Sequence, residues 1–211
     1  AMNTIGVIFD FNGTMFFDSK IHVLAWKNYI EELTNNHISE EEISQYIHGR
    51  NSEDILKYFL GDDLTKEMIN QFSQKKESIY RSLCLRDKDK LKLTLGIEDF
   101  LDYLIKMDIP MNIATAANYE NLQFYFEIFD LYRWFDLEKI AYDDGIIKGK
   151  PSPDLYIRAA KNINIPTRYC LVFEDAKTGI EAAYAAGVQS VVAITGDSEI
   201  KNYGENRLVA T

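Results

Sequence analysis

The chain has 211 residues, of which 46% are hydrophobic, and carries a formal net charge of −10 with a pI near 4.8. That length suits one large domain or one domain carrying an insert, with enough apolar content for a sizeable core. The acidic balance argues against a nucleic-acid partner, because phosphates attract basic surfaces, and no apolar run reaches the roughly 18 residues that a membrane span requires.

The start, AMNTIG, lacks the basic region and long apolar run of a signal peptide, and Ala1 ahead of Met2 reads as a cloning remnant. Residues 4–10 (TIGVIFD) form a short apolar run rich in β-branched residues, the mark of a buried strand. From residue 19 to 82 the patterning is helical only. SKIHVLAWKNYIEEL sets Ile21, Leu24, Ala25, Tyr29 and Leu33 on roughly one face. In SEEEISQYIHG, Ser39 is a candidate N-cap and Gly49 a stop. NSEDILKYFLG repeats that grammar from Asn51 to Gly61, and residues 64–82 give a fourth helix. Short connections make these helices an all-α unit.

After the charged stretch RDKDK (residues 86–90) the grammar changes. Helix IEDFLDYLIKMD precedes strand MNIATAA. Helix YENLQFYFEIFD precedes a short strand in EKIAY. Helix PDLYIRAAKNI precedes strand YCLVFED, and AKTGIEAAYAAG precedes SVVAIT. Strands alternating with helices imply right-handed crossovers and a parallel sheet covered on both faces. The strand at 4–10 must join that sheet. The expected fold class is therefore α/β: a Rossmann-like parallel sheet core (residues 1–16 and 88–211) with an inserted α-helical cap (17–87), hinged at 16–19 and 82–88. The aromatic stretch FYFEIFDLYRWF (124–135) reads as core packing. Cys84 and Cys170, far apart and without metal-ligand spacing, read as buried reduced thiols of a cytoplasmic protein.

In such sheets ligands sit at the carboxyl ends of the strands. Four segments deliver polar groups to that rim: Asp10-Phe11-Asn12-Gly13-Thr14, Thr115-Ala116-Ala117-Asn118, the loop Gly149-Lys150-Pro151-Ser152-Pro153-Asp154, and Glu174-Asp175. Their order and spacing resemble the haloacid dehalogenase-like superfamily, in the phosphatase branch related to β-phosphoglucomutase. The first motif of that family, Asp-x-Asp-Gly-Thr, here reads DFNGT. The Ser or Thr ending a strand is Thr115 in IAT. The Gly-Lys-Pro-x-Pro-Asp loop is GKPSPD with Lys150, and FEDAKTGIEAA supplies the Glu-Asp pair.

The resemblance implies Asp10 as the nucleophile that forms an aspartyl phosphate. A carboxylate approaching a phosphate dianion is repelled, so a hard cation is expected between them. The implied cofactor is Mg²⁺, held by the Asp10 carboxylate, the Asn12 backbone carbonyl and Asp175, with Glu174 acting through water. Lys150 would supply fixed positive charge to the phosphoryl oxygens. Thr115 would donate its hydroxyl, and the N–H groups near Ala116 and Ala117, opening a helix, would hold an anion together with Asn118. Gly13 and Thr14 would shape the turn beneath the phosphate.

The amide at position 12 departs from the family pattern, in which the second Asp is the general acid and base. An amide has no usable proton at neutral pH, and losing such help costs about 10²–10⁴ in rate. His22, in the first cap helix with Trp26 one turn on, is the candidate substitute proton carrier. The alternatives are a slow enzyme, one restricted to good leaving groups such as acyl phosphates, an engineered residue, or a protein that binds a phosphorylated ligand without turnover. Asn12→Asp is expected to raise phosphatase activity at least ~10-fold. In the cap loop HGRNSE (48–53), Arg50 is expected to grip the substrate's distal group. The β-phosphoglucomutase motif has its Arg two places later, where this chain has Ser52, and that disfavours a true mutase. The expected function is a Mg²⁺-dependent phosphatase, a monomer, acting on a small phosphorylated metabolite such as a sugar phosphate, with no nucleic-acid or membrane partner.

Overall fold

The computed structural model describes residues 4–196, so the reading of Ala1 and Met2 lies outside the described residues. Five strands, β1 (Gly6–Phe9), β2 (Met111–Asn118), β3 (Ala141–Asp143), β4 (Cys170–Glu174) and β5 (Ser190–Ala193), form one sheet. Every pairing is parallel and the order is β3-β2-β1-β4-β5. The first strand thus lies at the centre, paired with β2 on one side and β4 on the other. This is the α/β parallel sheet expected from the alternating grammar. The central position buries β1 on both faces, which is why GVIF carries no polar alternation.

The two faces of the sheet pack different partners. Ile8, Val172 and Val191 meet Leu155, Tyr156 and Ala159 of α7 (Asp154–Asn162) and Ile180, Ala182 and Ala183 of α8 (Lys177–Ala185). One residue along each strand, the side chains turn to the opposite face. There Phe9 stacks on Phe173 at 5.0 Å and meets Phe100 of α5 (Ile97–Lys106) edge-on at 6.0 Å. Burying each such ring stabilises the fold by about 1.5–3 kcal/mol. In α6 (Tyr119–Phe129) and the turn after it, Tyr125, Phe126, Phe129, Leu131, Trp134 and Phe135 are buried, as the aromatic stretch predicts, while Tyr132 is exposed.

The chain divides into two compact units, one made of the residues up to Asp18 and from Lys92 onward, the other of Ser19–Leu91. The second unit is helical: α1 (Ser19–Thr34), α2 (Glu40–Glu42) with a π turn over Ile43–Ile47, α3 (Ser52–Leu60) and α4 (Lys66–Arg86). Ser39 caps α2 by accepting from the Glu42 N–H at 3.1 Å, and Asn51 caps α3 by accepting from Asp54 N–H at 2.9 Å. The core of this unit gathers Trp26, Ile30, Ile38, Ile43, Ile47, Ile55 and Leu56. The face of α1 differs from the expected one. Ala25 and Tyr29 are buried as expected, but Leu24 and Leu33 are exposed, and Trp26 and Ile30 are buried in their place. The large Trp26 ring sets the inward direction, about one residue round the helix from the apolar stripe read from the sequence.

Candidate active site

Asp10 follows directly on β1 and is buried. After it the chain makes a tight turn in which the Phe11 carbonyl accepts from Thr14 N–H at 3.1 Å and Met15 N–H at 2.8 Å. Gly13 sits there at φ +82°, and a Cβ on it would run into the Asp175 carboxylate. A side chain is excluded at this point twice over, by backbone conformation and by the carboxylate that occupies the space. The Thr14 hydroxyl donates to Asp10 Oδ2 at 3.2 Å, so Thr14 braces the acid within the fold.

Lys150 crosses to this acid from the loop before α7. Its Nζ donates to Asp10 Oδ1 at 2.8 Å, to Glu174 Oε2 at 2.9 Å and to the Ala114 carbonyl at 3.0 Å. An ammonium has three hydrogens, and all three are used. Burial alone would lower the Lys150 pKa, but the carboxylates of Asp10 and Glu174 overcome it and hold the ammonium above the ordinary lysine value. Glu174 moves upward: burial and the Asp10 charge raise its pKa, against the opposing pull of Lys150.

Glu174 meets further donors on both of its oxygens. Tyr156 of α7 donates a short hydrogen bond to the same Oε2 that Lys150 reaches, and the N–H groups of Asp175 and Ala176 reach Oε1 at 3.2 and 3.3 Å. A Cβ on Gly179 would collide with this carboxylate, so the Gly in AKTGIEAA makes room for the acid. Burial, with the neighbouring negative charges, pushes the Tyr156 hydroxyl well above the usual tyrosine range, keeping it a donor. Tyr156 is absent from the residues picked out in sequence. Its only mark there is its place among Leu155, Ala159 and Ala160 on the buried face of α7.

Thr115 and Asn12 lie on the other flank. Thr115 is fully buried near the end of β2, its Oγ1 3.5 Å from Asn12 Oδ1. Asn12 Nδ2 donates to Asp18 Oδ2 at 2.7 Å and to the Tyr125 hydroxyl at 2.8 Å. Asp18 and Tyr125 are both buried, and neither was singled out in the sequence. Ala116 and Ala117 are placed differently from expectation. Helix α6 starts only at Tyr119, so both belong to the extended end of β2, and Ala117 N–H donates to Thr115 Oγ1 at 3.0 Å. The cause is Asn118, whose Oδ1 accepts from Asn121 N–H at 2.9 Å and caps the helix there.

His22 and Arg50 belong to the helical unit. The His22 ring stacks on Tyr80 at 3.8 Å, and its Nδ1 lies 2.7 Å from the Nζ of the buried Lys76. An ammonium offers only hydrogens, so Nδ1 is the acceptor. Lys76 also pairs with Glu77 at 3.0 Å and lies 5.1 Å from the Trp26 ring centroid. Arg50 is exposed, with its Nε donating to the Gln45 carbonyl at 3.3 Å.

Asp10, Glu174 and Asp175 each offer an oxygen within 4.8 Å of the others, and all three are buried. When ionised they set three negative charges against the one positive charge of Lys150, a deficit that a divalent cation would fill. An all-oxygen donor set suits a hard cation. Four protein donors meet the Glu174 oxygens and two meet those of Asp10, so Asp10 keeps more lone-pair capacity for a direct bond to a cation and Glu174 fits a supporting place.

The model of the family described as haloacid dehalogenase-like hydrolase matches residues 7–193. The chain belongs to that family. The segments that carry Asp10, Ala114 and Glu174 meet at Lys150. The chain is 23% identical over 192 residues to a phosphorylated carbohydrates phosphatase of Thermotoga maritima, across 89% of this chain and 84% of the relative. It is 27% identical over 195 residues to the β-phosphoglucomutase of Bacillus subtilis, across 88% and 81%. Among solved structures, a haloacid dehalogenase-type hydrolase from Entamoeba histolytica superposes with a TM-score of 0.91 at 30% identity, covering 99% of this chain and 92% of that one.

Proposed function

We propose that this hydrolase is a Mg²⁺-dependent phosphatase that removes the phosphate of a small phosphorylated metabolite through an aspartyl phosphate on Asp10. The observation that carries this reading is the buried Lys150 ammonium bonded at once to Asp10 and Glu174, with Asp175 beside them. Such a fixed charge costs nothing to reorganise when a dianion approaches. Asp10, Asp175 and the Asn12 carbonyl would hold Mg²⁺, which supplies charge neutralisation between carboxylate and phosphate. Asp10 is oriented for attack by its two hydrogen bonds, from Thr14 and from Lys150. Thr115 accepts from Ala117 N–H and gives its one hydrogen to Asn12 Oδ1 at a long 3.5 Å, a weak bond that a phosphoryl oxygen would displace. The relatives' names point to phosphorylated carbohydrates as the first compounds to try.

The test is phosphate release from p-nitrophenyl phosphate, acetyl phosphate and a panel of sugar phosphates, with Mg²⁺ and with EDTA. Turnover that requires Mg²⁺ and disappears in Asp10→Asn is expected. Turnover unaffected by either change would refute the reading, and a requirement for a bisphosphate would point to mutase chemistry.

A further inference from the structure

The structure assigns Asn12 a hydrogen-bond acceptor's place in the site, and from this we infer that the substrates are phosphates whose leaving oxygen departs as a stable anion, acyl phosphates above all. The inference rests on the phosphatase reading and specifies its substrate class. Asn12 has one amide group with two hydrogens on nitrogen and one carbonyl oxygen. Both hydrogens are committed within the fold, one to Asp18 Oδ2 at 2.7 Å and the other to the Tyr125 hydroxyl at 2.8 Å. The reverse orientation would set the carbonyl oxygen against the Asp18 carboxylate, acceptor against acceptor, and Asp18 and Tyr125 are both buried away from water that might relieve it. The amide oxygen is thereby left facing Thr115 Oγ1, 3.5 Å away.

A phosphatase of this kind must deal with the leaving oxygen in its first step. Asp10 attacks phosphorus, the bond from phosphorus to the leaving oxygen breaks, and the electron pair departs with that oxygen. An acid at position 12 would protonate it. The locked amide gives it neither a proton nor a hydrogen bond, so the oxygen leaves as an anion. A carboxylate from an acyl phosphate or a phenolate from an aryl phosphate tolerates this, while the alkoxide of a simple alkyl phosphate does not. In the second step water attacks the aspartyl phosphate, the phosphorus–Asp10 bond breaks, and the pair returns to the carboxylate. Both hydrogens of the water stay on the released phosphate, so this step balances without a base at position 12.

The decisive measurement is kcat/KM across a series of aryl phosphates, from nitrophenols of high acidity to unsubstituted phenol, with acetyl phosphate and ethyl phosphate at the two ends. For the unaltered protein a steep fall with leaving-group pKa is expected, with acetyl phosphate ahead of ethyl phosphate by at least about 10²–10⁴-fold, the range that general-acid help supplies. The exchange variant Asn12→Asp with Asp18→Asn keeps the same amide–carboxylate pair but moves the acid to position 12, and its fall should be shallower. If that variant does not fold, Asn12→Asp alone serves the same comparison. A shallow dependence in the unaltered protein would overturn the inference and leave the phosphatase reading standing. A steep dependence unchanged by moving the acid would also overturn it, because position 12 would not be the cause. No turnover of any compound, acetyl phosphate included, would instead overturn the phosphatase reading and the inference with it.

Discussion

Replacing Lys150 with Met removes the ammonium while keeping the length of the stem. Three hydrogen bonds go with it, to Asp10 at 2.8 Å, Glu174 at 2.9 Å and the Ala114 carbonyl at 3.0 Å. Only 7% of the Lys150 side chain and 1% of that of Glu174 is exposed, so water cannot take over those bonds. Stripping one partner from a buried ion pair costs about 3–5 kcal/mol. For a chain of this size each kcal/mol moves the midpoint by about 2–4 °C, so Tm at neutral pH should fall by about 6–20 °C.

The pH dependence has a definite sign. Burial, with the Asp10 charge, raises the Glu174 pKa in the folded state, and loss of Lys150 must raise it further. A carboxyl group raised on folding holds more protons in the folded than in the unfolded state. Its contribution is fully present below the ordinary value of 4.5 and is lost as pH rises through the folded value. The gap between variant and parent should therefore be widest at neutral pH and narrow toward acid. Thermal unfolding followed by circular dichroism, in EDTA and over a range of pH, reads both quantities. A variant that melts within about 2 °C of the parent at neutral pH, or a gap that widens in acid, would refute the ion-pair reasoning.

Other outcomes follow from the same geometry. Gly13→Ala places an L residue at φ +82°, at a cost of about 1–2 kcal/mol, and drives its Cβ into Asp175; calorimetry should find weakened Mg²⁺ binding, and an unchanged affinity would contradict the packing described. Tyr156→Phe deletes the hydroxyl that bonds Glu174 but keeps the ring 5.0 Å from Lys150 Nζ, so urea unfolding should show a loss of about 1.5–3 kcal/mol; no loss would mean that the hydroxyl is not a structural donor. The Ile147 and Ile146 N–H groups hold Asp144 down at about 2, with Arg158 helping, so its NMR titration midpoint should lie well below 3.8. Its stabilising contribution is present above the ordinary value and lost as pH falls through the lower one. Burial pushes the Cys170 thiol up to about 11, so it should react with a thiol reagent near neutral pH only after unfolding.

The fold was legible because its signals are local and redundant. Each strand end carries a turn residue, and the switch from helical patterning to strand–helix alternation marks where the sheet resumes. The sheet order was not legible, since nothing in the sequence of β1 says that its neighbours are β2 and β4. The site was legible wherever chemistry and spacing coincide, as with Asp10, Thr115, Lys150, Glu174 and Asp175. It was obscure where a partner arrives through tertiary packing. Tyr125 and Tyr156 look like any buried aromatic on a helix, and Asp18 looks like a polar residue before a helix start. Only folding brings Tyr125 and Asp18 onto the two hydrogens of Asn12. The start of α6 at Tyr119 was legible, but the N–H groups of Ala116 and Ala117 do not open it, because Asn118 caps the helix after them.

The central claim is that Asp10 becomes phosphorylated, and the most direct measurement is rapid acid quench of the protein with radiolabelled acetyl phosphate followed by peptide mapping. The label should appear within one turnover on the peptide that contains Asp10, only when Mg²⁺ is present, and should be lost in Asp10→Asn. Phosphate released with no labelled protein at any time, or a label on a different peptide, would contradict it.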